Sequence, residues 1–481
     1  MSERKGDTDR LEQESRFRED GGGNPKRTSG GDDAKFRKMT ETPVGKLVVT
    51  LGIPTTISML VTSIYNMADT AFVGTLGNSA SGAIGVVFGY MAIIQAIGFM
   101  FGQGSGSMIA RLLGQHKTED ASRIASTGFI TAMAIGLLIT ETSLLLLEPL
   151  LLLLGSTDTI LPYAKQYCLF IALGAPFIIC GYVMNNILRF EGLAIRSMVG
   201  LVTGAVINIA LDPLFIMVFK MGTAGAGLAT FLSQVVSFSI LLSMFVRRIS
   251  QSEIHPKYYT HSLKEVGRIV AVGFPSLVRQ SLGSLGTIML NRSAKPFGDE
   301  VIAAMSIANR VSMFLFSAGL GLGQGYQPVC SFNFGAKRYD RVRKAFFFTL
   351  KMTVAILGCC AVVIFLFAPF VVRIFRDDPA VIPVGTAALR FATIVLVVQP
   401  FSVLTNMTLQ SSGKALSASI LATMRSGVFF IPILLIFKTF FGVTGIEMAQ
   451  PVADVLTALV SLPFIIHYLK TYAPKKAGVG N

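Results

Sequence analysis

The chain has 481 residues, of which 52% are hydrophobic and only 14% charged, against roughly 25% charged residues in soluble globular domains. That composition excludes an ordinary soluble enzyme or binding module, because apolar stretches near 20 residues long recur between positions 44 and 468, each about long enough to cross a ~30 Å hydrocarbon layer. The net charge of +15 suits a membrane protein whose loops on one side collect lysine and arginine, and no nucleic-acid partner is needed to explain it.

Residues 1–40 are charged and glycine-rich with almost nothing apolar to bury, which predicts a disordered cytosolic tail and no cleaved signal. Twelve spanning helices are expected next, near 46–75, 80–111, 122–152, 160–188, 194–220, 224–247, 265–291, 300–330, 344–372, 381–410, 415–439 and 446–470. Cations concentrate in three connections. These hold Arg111, Lys117 and Arg123; Arg247, Arg248, Lys257, Lys264 and Arg268; and Lys337, Arg338, Arg341, Arg343 and Lys344. The opposite connections are poor in them, with none over 76–81 and only Arg292 and Lys295 after the seventh helix. The basic loops and both termini therefore belong on the cytoplasmic side of the plasma (inner) membrane. The expected fold is an all-α polytopic membrane protein: a six-helix lobe over 41–248, a cytosolic linker over 249–264, a second six-helix lobe over 265–472 and a short tail over 473–481. The five cysteines fall in or beside apolar segments and read as small hydrophobes. The four histidines are scattered and give no zinc spacing.

The chain repeats itself. Gly52-Ile53-Pro54 recurs as Gly273-Phe274-Pro275, and Gly102-Gln103-Gly104 with Gly114 recurs as Gly323-Gln324-Gly325 with Gly335, both at an offset of 221. Asn185 and Gly192 match Asn406 and Gly413 at that same offset, and Asp212-Pro213 is echoed by Ile431-Pro432 at 219. An even number of helices per repeat gives both halves the same orientation, related by a pseudo-two-fold axis along the membrane normal, with a cleft between them that can open to either side.

Chemistry is sought among ionisable residues inside the span, where a charge costs about 2.5–3.5 kcal/mol on the insertion scale. Glu148, Asp158, Asp377, Asp378 and Glu447 fall near helix ends, and Glu141 and Asp454 have no polar partner close in sequence. Asp69 and Asp212 differ. Tyr65 stands one turn before Asp69 and Asn208 one turn before Asp212, and Pro213 frees the carbonyl of Ile209 from its helical bond. Counting ~1.5 Å per residue, Asp69, Asp212 and Thr230 lie about 9 to 12 Å from the outer ends of their helices. Two carboxylates, an amide, a hydroxyl and a carbonyl suit Na⁺ or a shared proton, which makes Asp69 and Asp212 the candidate metal-ion ligands. A hydrogen-bonded knot that merely fixes helix packing is the alternative.

The runs IYNMADTAFVG (64–74), GQGSGSMIARLLGQ (102–115), NNILRFEG (185–192) and NIALDPLFI (208–216) resemble the multidrug and toxic compound extrusion (MATE) family, in the branch with its ion site in the N-terminal lobe. The resemblance covers about residues 40 to 470. It implies two six-helix bundles forming a V, and antiport of cationic or amphipathic small molecules against Na⁺ or H⁺. It also implies an ion-coupling set of Asp69, Asn208, Asp212, Thr230 and Asn185, with Tyr65 and Tyr167 as substrate-cavity tyrosines. The second lobe has no Asp or Glu over 266–298 or 379–446, which places coupling in the first. Asn185 counts out nearer the cytosolic end of its helix than the others, unless Pro176 kinks that helix. The expected partners are organic cations and the lipid bilayer, the state is monomeric, and the coupling ion replaces any cofactor. An enzyme is not expected, since neither a nucleophile with its base nor a metal cluster is present. A flippase of lipid-linked precursors ranks second, for it would want a cavity lined with arginines where membrane cations here are few, and a passive channel ranks third.

Overall fold

The computed structural model describes residues 29–473, and every ordered element among them is helical. A short helix α1 (Ser29–Glu41) precedes the first lobe, which comprises α2 (Val44–Gly74), α3 (Asn78–Leu113), α4 (Thr118–Leu145), the short α5 (Leu147–Leu153), α6 (Leu161–Phe190), α7 (Ala194–Pro213) and α8 (Gly222–Val246). The second lobe holds α9 (Leu263–Ala294), α10 (Asp299–Gly335), α11 (Tyr339–Phe375), α12 (Val381–Val395), α13 (Gln399–Ser411), α14 (Ala415–Thr423) and α15 (Phe430–Thr471).

Twelve crossings follow from these segments. Among the described residues, nine helical stretches are long and apolar enough to span, and α12 with α13, bent by 51°, makes one more. The last stretch, Ala415–Thr471, has 57 residues and would run about 86 Å if straight, so it must cross twice. It turns back at Gly442, whose φ of 59° is open to glycine at little cost. α9 completes the set despite Lys264, Glu265, Arg268, Arg279 and Arg292. Pro213 is followed by a π-helical turn at Leu214–Val218, and a second π-helical turn, Met424–Phe429, lies just before Pro432 in the other lobe. Pro54, Pro176 and Pro275 are carried inside continuous helices.

The expected tail needs correction over its last third. Residues 29–41 form α1, with Met39 and Thr40 buried and the Phe36 ring stacked on His116 at 4.0 Å. Asn333 donates to the Met39 carbonyl at 3.2 Å and Arg341 to that of Thr42 at 2.5 Å. Composition counts only how little this segment could bury, not that both lobes offer it a docking surface. Residues 1–28 and 474–481 of the two expected tails lie outside the described residues.

The lobes meet chiefly through α2 on α10 and α3 on α9, pairs that the repeat exchanges. Their backbones touch at repeated glycines in the half nearer the basic loops. A Cβ added at Gly104 would stand 2.2 Å from the Ile269 carbonyl oxygen, and one at its mate Gly325 would stand 2.3 Å from Gly52 Cα. A Cβ at Gly114 would meet the Phe332 oxygen at 2.2 Å, and one at Gly335 the Arg111 oxygen at 2.1 Å. Nearby Arg111 donates to the Ser411 carbonyl at 2.8 Å.

The segment joining the lobes is tied down by one buried carboxylate. Glu191, in the turn after α6, accepts from Ser250 Oγ (2.8 Å), the backbone N–H groups of Gln251 (2.7 Å) and Ser252 (2.8 Å), and Ser252 Oγ (2.5 Å). Burial pushes its carboxyl up, while these donors pull it back. Glu191→Ala should strip these donors of their acceptor and loosen the linker, at a cost of about 3 kcal/mol or more. Limited proteolysis should then cut within 249–262 at least tenfold faster than in the parent, with the membrane helices still protected.

Candidate functional site

Four helices of the first lobe bring the predicted polar residues together. α2 supplies Tyr65 and Asp69, α6 supplies Tyr167, α7 supplies Asn208 and Asp212, and α8 supplies Thr230. Asp69 is 7% exposed and Asp212 fully buried. Tyr167 donates its hydroxyl to Asp69 Oδ2 at 3.2 Å, lies within hydrogen-bond reach of Thr230, and has Met91 Sδ at 3.9 Å. Asn208 Nδ2 donates to Thr230 Oγ1 at 3.3 Å. The two carboxylates are near enough for their charges to act on one another.

What the protein leaves unpaired here matters more than what it pairs. Asp69 Oδ1, both carboxylate oxygens of Asp212, Asn208 Oδ1 and the Tyr65 hydroxyl are buried without a hydrogen-bond partner. Buried oxygens are almost always satisfied, and a cluster of orphans demands an explanation. Five such oxygens, three of them on carboxylates, form a cradle for a small hard cation or for protons on the acids. The donor set fits either. No three Asp, Glu, His or Cys side chains among the described residues gather to hold a metal ion, so the negative charge is that of two carboxylates.

The second lobe serves as an internal control. At the positions matching Asp69 and Asp212 it carries Leu290 (offset 221) and Ile431 (offset 219, set by the paired prolines). The same packing therefore forms with apolar side chains, and the acids are not required to build a lobe. Beside the acids a cavity is lined by Thr62, Tyr65, Tyr182, Asn208, Ser233 and Gln234 among others.

Two expectations from sequence land elsewhere. Asn185 donates to the Ser197 carbonyl at 2.9 Å, and its mate Asn406 donates to the Ala418 carbonyl at 2.5 Å, both spanning twelve residues. A contact repeated in both lobes is a helix tether, and Asn185 stands near the end of the continuous α6, bonded to α7 and not to the acid cluster. Tyr167, expected on the cavity wall, is sealed in and bonded to Asp69. Sequence reading also missed a pair in the other lobe, since Asp454 accepts from Arg425 at 2.7 Å and from Gln450 at 3.0 Å. The 29-residue gap hid Arg425, but Gln450 stands one turn before Asp454, so the expectation that Asp454 has no polar partner close in sequence is corrected.

Comparisons with known proteins bear on the family and the fold. The family model described as MatE matches residues 54–214 and again 275–436, two stretches whose starts differ by the repeat offset of 221. The multidrug export protein MepA of Staphylococcus saprophyticus is 27% identical over 439 residues, 91% of this chain and 97% of its own. MepA of Staphylococcus aureus is 26% identical over the same span. Among solved structures, one described as the outward-facing conformation of a multidrug resistance MATE family transporter of the MOP superfamily superposes with a TM-score of 0.86 at 28% identity, covering 90% of this chain and 98% of that one. A MOP superfamily transporter from Pyrococcus furiosus, reported with a binding pocket of reversed polarity, gives the same TM-score and identity over 91% of this chain and 98% of that one. With both repeats matched and twelve crossings in two lobes, the chain belongs to the MatE family, the multidrug and toxic compound extrusion transporters.

Proposed function

We propose that the protein is a secondary active antiporter that exports cationic or amphipathic small molecules, moving Na⁺ or H⁺ inward through the Asp69/Asp212 cluster by alternating access. The observation that carries this is the set of five orphaned oxygens buried in one lobe, where the other lobe has Leu290 and Ile431 at the positions that match the two acids. The names of the MepA relatives support the cargo class. The positive-inside preference supports placing the basic loops and both termini in the cytoplasm, with the protein in the plasma membrane. One chain holds both lobes and the whole cluster, which supports a monomer. Asp69, Asp212, Asn208, Thr230 and Tyr167 act on the ion, and Tyr65 joins them while lining the cavity.

Coupling follows from charge. Filling the cluster with Na⁺ or a proton cancels negative charge close to the cavity, which weakens attraction for a cationic cargo. Linkage makes the effect reciprocal: ion and cargo reduce each other's affinity by one factor, about 5- to 150-fold for coupling of the usual size. Titrating a fluorescent lipophilic cation onto the detergent-solubilised protein across a series of pH and Na⁺ values checks this. Dye affinity should fall as pH is lowered or as Na⁺ is raised, and a flat response to both would sink the mechanism.

A further inference from the structure

Helix α1 has contacts on both sides of the seam, at the end where the lobes are closed on each other. On the first lobe, the Phe36 ring stacks on His116, in the turn after α3, with centroids 4.0 Å apart. The Met39 sulfur lies against Gly192, in the turn after α6, 3.1 Å from where a Cβ would stand. On the second lobe, the same Phe36 ring meets Phe332, near the end of α10, at 5.6 Å. Arg341, at the start of α11, donates through Nε to Asn333 Oδ1 at 3.0 Å, and the Nδ2 of that amide donates to the Met39 carbonyl at 3.2 Å. The other end of the guanidinium donates to the Thr42 carbonyl, just past α1. One ring therefore touches both lobes, and two carbonyls at the end of α1 are held by the second.

The repeat shows which part of this arrangement is ordinary. At the offset of 221, residues 29–41 correspond to 250–262, so α1 stands ahead of the first lobe as the linker stands ahead of the second. Each lead-in docks on the opposite lobe. The linker lies on the first, where Ser126 Oγ donates to the Glu253 carbonyl and accepts from the His255 N–H, both at 3.0 Å. The linker has to run there, because it connects the lobes. α1 connects nothing to the second lobe, yet it is ordered against it, with Met39 and Thr40 buried. Ordering such a segment costs conformational entropy that its contacts must offset, and half of those contacts lie across the boundary that alternating access has to open.

We infer that α1 is a latch over the basic end of the seam, which holds the lobes together there and must release the second lobe before that end can open. α2 begins at Val44, directly after Thr42 and Pro43, so α1 travels with the first lobe. Opening then draws the Met39 and Thr42 carbonyls away from Asn333 and Arg341, and Phe36 away from Phe332. These contacts exist only in the closed arrangement. They bias the equilibrium toward it, and weakening them shifts the population toward opening on the basic side. The contacts with His116 and Gly192 keep α1 aimed at its target. The inference rests on the proposed alternating access, and the test reads opening without any cargo, so that the two can fail separately.

Cys330 is the reporter, since it is buried two positions before Phe332. Its alkylation by a water-soluble maleimide is followed by mass spectrometry with the protein in lipid nanodiscs, where both faces meet the reagent. Phe36→Ala and Arg341→Gln should each speed the reaction at Cys330 by about fivefold or more. Phe36→Tyr, which keeps the ring, and Arg37→Ala, which removes an exposed neighbour on α1, should stay within about twofold of the parent. Cys168 and Cys180, buried inside the first lobe, should remain slow in all four variants. A parent rate at Cys330 in either Phe36→Ala or Arg341→Gln would overturn the latch, as would an equal acceleration in Arg37→Ala. Faster reaction at Cys168 and Cys180 as well would also overturn it, because α1 would then brace the fold instead of gating it. Rhodamine 123 transport in proteoliposomes forms a separate arm: if the parent carries none while Phe36→Ala still speeds Cys330, the export reading falls and the latch stands.

Discussion

Asp69→Asn and Asp212→Asn are each expected to abolish ion-driven export while leaving a folded, inserted protein. Both side chains are buried, and together they hold three of the five oxygens that have no hydrogen-bond partner. An amide keeps the shape but can neither bind a proton in the relevant range nor offer a cation full negative charge. The variant therefore presents one fixed state where coupling needs two. Stability should hold or rise, because a neutral amide avoids the cost of about 2.5–3.5 kcal/mol that a charge pays at that depth. Dye export in proteoliposomes under separate Na⁺ and H⁺ gradients should fall to the level seen with no gradient, while thermal unfolding occurs at or above the parent temperature. Asp212→Asn is the sharper test, since neither of its carboxylate oxygens has a protein donor to lose. A variant that still answers a gradient at the parent rate would remove that residue from coupling.

The second large effect is expected from Gly273→Ala. A Cβ at this position would stand 1.9 Å from the Met100 carbonyl oxygen across the seam. That is far inside contact distance, and the obstacle is backbone that no rotamer change can move. Overpacking of this kind costs about 1–3 kcal/mol. Here the cost is avoided by letting the lobes part, because Gly273 and Met100 belong to different lobes and each lobe is otherwise undisturbed. The substitution should thus displace the equilibrium away from the arrangement closed on the basic side, by about tenfold or more.

A native thiol reports the change. Cys330, on α10, is buried beside the seam, while Cys168 and Cys180 are buried within the first lobe. Alkylation by a water-soluble reagent, resolved residue by residue with mass spectrometry, should speed up at Cys330 and stay slow at the other two. Unchanged protection at Cys330 would mean that the seam tolerates the methyl group. Exposure of all three would mean that the lobes themselves had come apart.

Much of this architecture is legible from sequence because a bilayer makes heavy demands on a chain. Every crossing needs a long apolar run, so the class, the twelve crossings and the basic loops are written out locally. Duplication wrote the fold twice, and three of the glycine pairs that recur at an offset of 221, Gly52/Gly273, Gly104/Gly325 and Gly114/Gly335, turned out to be places where the two lobes touch backbone to backbone. Asp69 and Asp212 stood out for the same reason, since an acid amid apolar residues carries a cost that only a special environment repays.

Only the tertiary structure decided how those residues are used. It gave Asn185 to the Ser197 carbonyl, enclosed Tyr167 against Asp69, paired Arg425 with Asp454, and laid α1 across the ends of both lobes. Helical periodicity states which face of a helix a residue occupies, and it is silent on which distant helix meets that face. That partner is fixed by how the helices pack, and it is there that the sequence stopped speaking for itself.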